Sequence, residues 1–398
     1  MQDVYLYDAI RSARTKAKDS GGLHSLTPPE LLAQLYRHLE QRIQLQPHRV
    51  SEVILGCVTQ QGEQAANIAK TSALHAGWPA SVAGLTVNRF CSSSIDAIAL
   101  AAMKVATGHS RCIVAGGIEM MSRVPLLADK ARVFADPGYA VANQMLLMGS
   151  GADLIATRGN MSREAVDAVA LRSQQRAAEA QAKGYFTSIV PITTDAGVVD
   201  TDECIRADMT AQRLAALPPA FAKLGEAYAD KVQLAAYGEL EQIRHVHTAG
   251  NSPAMCDAAS VVVLGDAALG EQLGIAPRAK LVASATACGE PLEVLAGCID
   301  ASRAVLARAH VTTDDIQLFE IHEAFAATSI KVEREMGLED KPVNVNGGVI
   351  ALGHPMGATG AIMTGTLLDE MNRRDLELGL VAASGAAGSG SALILQRC

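Results

Sequence analysis

Thr86-Val87-Asn88-Arg89-Phe90-Cys91-Ser92-Ser93-Ser94-Ile95-Asp96-Ala97-Ile98-Ala99-Leu100 is the stretch on which the reading of this chain turns. It has the pattern of a strand end, a tight turn carrying Cys91, and then a helix. Ile95, Ile98, Ala102 and Val105 recur with the 3.6-residue period, which gives that helix one buried face. Ser92, Ser93 and Ser94 crowd its first turn, where hydroxyls can satisfy the free N–H groups of a helix start. A thiol in that place meets the positive end of the helix dipole, which favours thiolate over thiol and points to a nucleophile. A free cysteine that merely packs is the alternative reading, and residues elsewhere decide between the two.

Outward from this stretch, strands and helices alternate. Val4-Tyr5-Leu6-Tyr7-Asp8-Ala9-Ile10 reads as an alternating strand with one buried face, Thr27-Pro28-Pro29-Glu30 as a helix start, and Val53 to Val58 as a strand. Asn67 to Gly77 is a helix closed by its glycine, and Cys112 to Gly117 is a buried strand ending in glycines. The alternation predicts an α/β fold with a layered, largely parallel sheet. From about Glu119 the character changes to methionines and long charged helices such as Ser162 to Lys183. Strand and helix alternation returns at Ser260 to Leu264 and ends in a strand, glycine turn and strand over Gly379 to Leu395. A duplicated core with an inserted segment is the expected organisation.

Composition excludes several functions. A net charge of −8 argues against a nucleic-acid surface, which needs clustered Lys and Arg. No apolar run approaches the ~20 residues of a membrane span. The first strand begins almost at once, so no signal peptide is expected, and Gln396-Arg397-Cys398 is not a peroxisomal address. The eight cysteines lack CxxC or framework spacing, as reduced thiols of a cytoplasmic protein would.

Three further stretches carry chemistry. One is Glu320-Ile321-His322-Glu323-Ala324-Phe325, a histidine just after an apolar strand. The second runs Asn346-Gly347-Gly348 to Gly353-His354-Pro355-Met356-Gly357, where glycines and a proline frame an imidazole as a general base requires. The third is Ser384-Gly385-Ala386-Ala387-Gly388-Ser389-Gly390.

These stretches, in this order, resemble the thiolase family over essentially the whole chain. Gly116-Gly117-Ile118-Glu119-Met120-Met121-Ser122, Leu217-Pro218-Pro219-Ala220-Phe221 and Thr248-Ala249-Gly250-Asn251-Ser252 add to the likeness. The resemblance implies a duplicated α-β-α-β-α core: 1–118 as the N-terminal half rejoined by 251–268, 119–250 as a coenzyme A-binding loop domain, and 269–398 as the C-terminal half. It implies Cys91 as the acylated nucleophile, His354 as its base, and His322 as a holder of water or a proton. Ala386, with Gly388, would supply oxyanion donors alongside the Cys91 N–H. Met148, Ala249, Ser252 and Phe325 would line the coenzyme A site. No metal and no permanently bound cofactor is expected; coenzyme A and acyl-CoA are substrates. A homodimer or homotetramer follows from the same likeness. The His322-Glu323-Ala324-Phe325 form resembles the branch of trifunctional β-oxidation complexes, which implies a hydratase/dehydrogenase partner.

Two positions depart from the family pattern. Ser384 stands where the family has a second catalytic cysteine, and Pro253 stands where it usually has a serine on the pantetheine arm. An alcohol is a far weaker acid than a thiol, so proton exchange at the substrate's α-carbon is expected to slow by ~10²–10⁴. Two other readings therefore stay open here: a decarboxylating ketoacyl-synthase-like enzyme, and a non-catalytic acyl-CoA-binding subunit.

Overall fold

The computed structural model describes residues 2–398. Nine strands build its main sheet: β1 (Tyr5–Arg11), β2 (Glu52–Gly56), β3 (Ala83–Val87), β4 (Cys112–Met120), β5 (Cys256–Gly265), β6 (Ala279–Cys288), β7 (Leu318–Ile321), β8 (Leu378–Ser384) and β9 (Ser389–Arg397). They lie in the order β7-β8-β9-β6-β1-β5-β4-β2-β3, and the two-residue strand Thr15–Lys16 adds to β5. The relevant helices are α1 (Pro28–Arg42), α2 (Ile68–His75), α3 (Ser93–Ala106), α4 (Met148–Arg158), α5 (Arg163–Ala182), α6 (Gly297–Ala309), α7 (Ala326–Met336) and α8 (Thr359–Arg374).

The pairing is duplicated. β4 runs parallel to β2 and antiparallel to β5, which is antiparallel to β1. Likewise β8 runs parallel to β7 and antiparallel to β9, which is antiparallel to β6. Even the edge repeats: β3 pairs parallel with β2, and Val343 bridges Phe319 of β7 in parallel. So the turn carrying Cys91 and the loop carrying His354 occupy matching places, each after an edge segment and before a central helix.

Those two helices form the middle layer. α3 packs on β2 and β4 but also on β6 and β9, while α8 packs on β1 and β5 as well as β7 and β8. α1 and α2 cover the outer face of the first half, and α6 covers that of the second. Ile95, Ile98, Ala102 and Val105 all point into the central core, as their spacing predicts, together with Leu367 and Met371 of α8. Truncating Ile98 to Ala would cost about 2–5 kcal/mol. Ser94 Oγ accepts the Ala361 N–H at 2.9 Å, so the first turns of α3 and α8 touch.

Local expectations hold in most places. Thr27 donates both its N–H and its hydroxyl to Glu30 Oε2 at 2.7 Å and starts α1. Ser162 caps α5, and Gly77, at φ +81°, follows α2. Two readings change. The first strand is buried from Leu6 to Arg11 rather than on one face, because layers cover both sides; Asp8 is paired with Arg42 and Arg11 with Asp202. β4 runs on to Met120, past its glycines, because β5 continues the ladder to Asp257.

Candidate active site

Phe90 holds φ +50°, a strained value for a non-glycine residue, and so turns the chain sharply just ahead of Cys91. The serines that follow do not cap α3. Ser93 Oγ accepts the Arg89 N–H at 2.8 Å and donates to the Phe90 carbonyl at 2.5 Å, while Ser92 Oγ donates to the Arg89 carbonyl at 2.9 Å. Their hydroxyls brace the turn backwards. Arg89 is ion-paired with Asp96, which accepts from Ser391 of β9 at 2.5 Å.

Cys91 is partly exposed and is a free thiol. Burial pushes its pKa up to about 12, and the Glu119 carboxylate adds to the rise. Burial and the Glu119 carboxylate thus work against the thiolate that the helix start was expected to favour. Glu119 itself is fully buried and accepts from Val58 N at 3.0 Å, Thr59 N at 3.1 Å, Gln64 Nε2 at 2.8 Å and Gly357 N at 3.0 Å. It thereby ties the end of β2 to the His354 loop. Sequence reading placed Glu119 only in a matching motif; a carboxylate at the end of a glycine-bearing buried strand was the signal.

His354 follows Gly353, whose φ is +98°. Its N–H donates to Ala254 O at 2.8 Å, and its ring Nδ1 meets Thr359 Oγ1 at 2.7 Å. That bond leaves Nε2 to act on a ligand. Thr359, also missed in the sequence, sits five residues on at the start of α8. His322 follows β7, and its N–H donates to Ala382 O at 2.9 Å. The two imidazole rings lie 4.5 Å apart, centroid to centroid. Neither ring nitrogen of His322 has a hydrogen-bond partner among the described residues. Burial pulls the His322 pKa down to about 4, slightly offset by the Ser384 carbonyl, which lies near the ring without a formed hydrogen bond. Burial also holds His354 well below its ordinary range, with His322 and Arg14 adding to the effect. Both imidazoles are therefore neutral near pH 7 and able to accept a proton.

Ser384 ends β8, fully buried, with its Oγ accepting the Cys298 N–H at 3.0 Å. The turn after it lies on the Cys91 turn: a β-carbon at Gly385 would come within 2.8 Å of Arg89 O and 3.1 Å of Phe90 Cβ. No protein acceptor faces the N–H of Ala386 or of Cys91 among the described residues. Gly388 is different. Its N–H already donates to Val294 O at 2.8 Å, so the expectation that it serves as an oxyanion donor is corrected.

Cys91, His322 and His354 share one cavity of about 280 Å³, with Met148, Phe221, Ser252 and Phe325 among its walls. Leu126, Leu147, Leu224 and Met255 complete an apolar lining that the sequence reading did not single out, since it is assembled from distant segments. Phe325 stands edge-on to Phe221 at 5.6 Å and to His247 at 5.4 Å. His247 is itself held by Asp153 of α4 at 2.7 Å through Nδ1, and its Nε2 accepts the Ala327 N–H at 3.3 Å. A second cavity of about 550 Å³ shares Phe221, Ser252, Pro253 and Met255 with the first and adds Ala249, Lys16, Lys18 and Arg206. The Ser252 hydroxyl, at the junction, has no hydrogen-bond partner among the described residues.

A thiol, two neutral imidazoles and free backbone donors around an apolar cavity can form and break a thioester. In comparisons with known proteins, residues 7–233 match the family described as thiolase, N-terminal domain, and residues 275–397 match thiolase, C-terminal domain. The chain is 34% identical to a 3-ketoacyl-CoA thiolase of Colwellia psychrerythraea and 36% identical to one of Bacillus subtilis, covering all of both chains in each case. It is also 36% identical to an acetyl-CoA acetyltransferase of Cupriavidus necator, again over the full length of both. The crystal structure of the Bacillus anthracis acetyl-CoA acetyltransferase superposes with a TM-score of 0.86 at 35% identity, over 100% of this chain and 99% of that one.

Proposed function

The chain belongs to the thiolase family, and from that premise we propose that its reaction runs through an acyl group carried on Cys91. The protein is an acetyl-CoA acyltransferase that cleaves 3-ketoacyl-CoA with coenzyme A, or runs the reverse condensation. Full-length relatives of this kind do not favour a decarboxylating synthase or a non-catalytic subunit. The observation that carries the residue assignment is the meeting of Cys91, His322 and His354, from three separate stretches, on one apolar cavity.

Cys91 sulfur attacks the 3-keto carbon as His354 Nε2 takes the thiol proton, so no free thiolate need accumulate at a pKa near 12. The oxyanion meets donors at the two imidazoles or at the Cys91 and Ala386 N–H groups. Breaking the C2–C3 bond leaves a carbanion equivalent on acetyl-CoA, which takes a proton. His322 relays it from His354, which returns to its neutral form, because Ser384 carries no thiol. Coenzyme A then attacks the acyl-Cys91 thioester, its thiol proton passes to His354, and Cys91 is released as the thiol.

The two joined cavities suit coenzyme A. The apolar first cavity takes the thioester end and the pantetheine arm. Lys16, Lys18 and Arg206 on the second face the phosphates, and the unpartnered Ser252 hydroxyl holds an amide between them, the role Pro253 cannot fill. Residues 119–250 supply Met148, Phe221 and Ala249 to this site, and Ser252 continues it. No permanently held cofactor enters this scheme.

β3 is a sheet edge with Ala83 and Leu85 exposed, an unpaired ladder that a second copy would cover in a homodimer or a homotetramer. The His322-Glu323-Ala324-Phe325 form supports work beside a hydratase/dehydrogenase subunit. No helix among the described residues is long and apolar enough to cross a membrane, and we place the reaction in the cytoplasm. Loss of 3-ketoacyl-CoA absorbance on adding coenzyme A, for short and long chains, tests the assignment; a folded protein that consumes none of them overturns it.

A further inference from the structure

Two cysteines outside the reaction scheme lie directly behind the His354 loop. Cys204 comes from the inserted segment, and Cys256 is the first residue of β5. Both are free thiols, buried to 6% and 0% exposure. Their sulfurs share one small space beside Gly353: a β-carbon built there would lie 2.9 Å from Cys256 Sγ and 3.1 Å from Cys204 Sγ. A side chain at 353 would displace them.

The pair is chemically uneven. The neighbouring Cys256 thiol pulls the Cys204 pKa down, against burial and Asp202, and the buried Arg14 guanidinium adds to the lowering. Arg14 has spare capacity, since its Nε and Nη1 donate no hydrogen bond among the described residues. Cys204 also lines the second cavity, which gives a small molecule a route to it. Cys256 is joined to the catalytic side: Met255 bridges His354 and Ala254 O accepts the His354 N–H at 2.8 Å.

We propose that Cys204 and Cys256 are a hydroperoxide-oxidisable thiol pair whose disulfide acts on the His354 loop. The Cys204 thiolate attacks one peroxide oxygen, the O–O bond breaks, and the other oxygen leaves as water after taking a proton. Cys204 is then a sulfenic acid. The Cys256 sulfur displaces its hydroxyl, which leaves as water with the Cys256 proton. Two thiols lose two electrons and one hydrogen peroxide becomes two waters. A disulfide needs the sulfurs about 2.05 Å apart, so closing it draws the inserted segment and the start of β5 together at Gly353. His354 moves with them. The effect on thiolysis rests on the reading of His354 given above; the bond itself does not.

The test treats the full-length protein with hydrogen peroxide and compares it with Cys204→Ser and Cys256→Ser. Peptide mapping without reduction reads the bond, and thiolysis before and after dithiothreitol reads its consequence. The expected result is a Cys204–Cys256 crosslinked peptide, a fall in thiolysis of at least ~10-fold reversed by dithiothreitol, and a Cys204→Ser variant that resists the loss. Equal, parallel inactivation of Cys204→Ser would place the damage at Cys91 and overturn the proposal, as would absence of the crosslink. The crosslink is also read in a Cys91→Ala background, where it is expected unchanged. An untreated protein with no thiolysis would sink the functional reading while leaving that chemical readout intact.

Discussion

The rings of His322 and His354 lie 4.5 Å apart with their planes tilted by 43°, both buried, and among the described residues only the His354 ring finds a hydrogen-bond partner, Thr359. An imidazole oriented by a hydroxyl is aimed; one with two free nitrogens is available to whatever enters. This predicts a division of labour. His354→Ala slows acylation of Cys91 from a simple acyl-CoA by ~10²–10⁴, while His322→Ala leaves that acylation burst nearly intact and slows the proton step of C2–C3 cleavage. Burst-phase kinetics of the two variants decides it. Equal losses in the burst would mean that the imidazoles act as one unit.

pH acts with opposite signs at two histidines. His322 has its folded pKa lowered from 6.5 to about 4, so the unfolded chain binds the proton first. Its contribution is present above pH 6.5 and lost as pH falls toward 4, worth up to about 3 kcal/mol. His245 has its pKa raised to about 9, first by Asp153 and further by Asp230. Its contribution is full below pH 6.5 and lost as pH rises through about 9. Urea unfolding between pH 4 and 10 should show both slopes. His322→Asn should flatten the acid limb and His245→Gln the alkaline one; a variant that keeps its limb removes that histidine from the account.

Glu119 collects four donors from three segments and also raises the Cys91 pKa. Glu119→Gln leaves one or two of those buried N–H groups unpaired, at about 1–3 kcal/mol each. The same change removes the charge that opposes the thiolate. Stability should fall while iodoacetamide labels Cys91 faster at a given pH than in the parent. Slower labelling would show that the carboxylate does not act on the sulfur. In the parent, exposed Cys288 should label before Cys91.

Ser384→Cys is expected to raise thiolysis at least ~10-fold, about 1.4 kcal/mol of barrier, with little change in acylation. Acylation from a simple acyl-CoA needs the Cys91 thiol and His354; cleaving the C2–C3 bond of a 3-ketoacyl-CoA additionally needs a proton donor. Ser384 Oγ accepts the Cys298 N–H, a bond a sulfur can keep at greater length. No gain in thiolysis would mean that His322 already fills the role. A loss would mean that the hydroxyl itself is at work.

Residues whose chemistry is local were legible in the sequence. The Cys91 turn, the buried face of α3, the capped start of α1 and the glycine-framed His354 loop depend on neighbours a few residues away. What could not be read depends on partners far along the chain. The serines after Cys91 brace a turn because α8 supplies Ala361 to Ser94 and the Arg89 N–H turns back to Ser93. The direction of the Cys91 shift follows from enclosure by 126–127, 147–149 and 221–224, which the helix start does not reveal. Gly388 lost its expected role to a carbonyl 94 residues earlier, at Val294. The shared space of Cys204 and Cys256 is likewise made only by folding.

The central claim is the thioester on Cys91, and intact-protein mass spectrometry under denaturing conditions reads it directly. Mixing the protein with a 3-ketoacyl-CoA should add one acyl group per chain, mapped to the peptide containing Cys91, and added coenzyme A should remove it. The adduct should be absent from Cys91→Ala. A folded, substrate-binding protein that acquires no adduct, or one whose adduct persists in Cys91→Ala, would contradict the account.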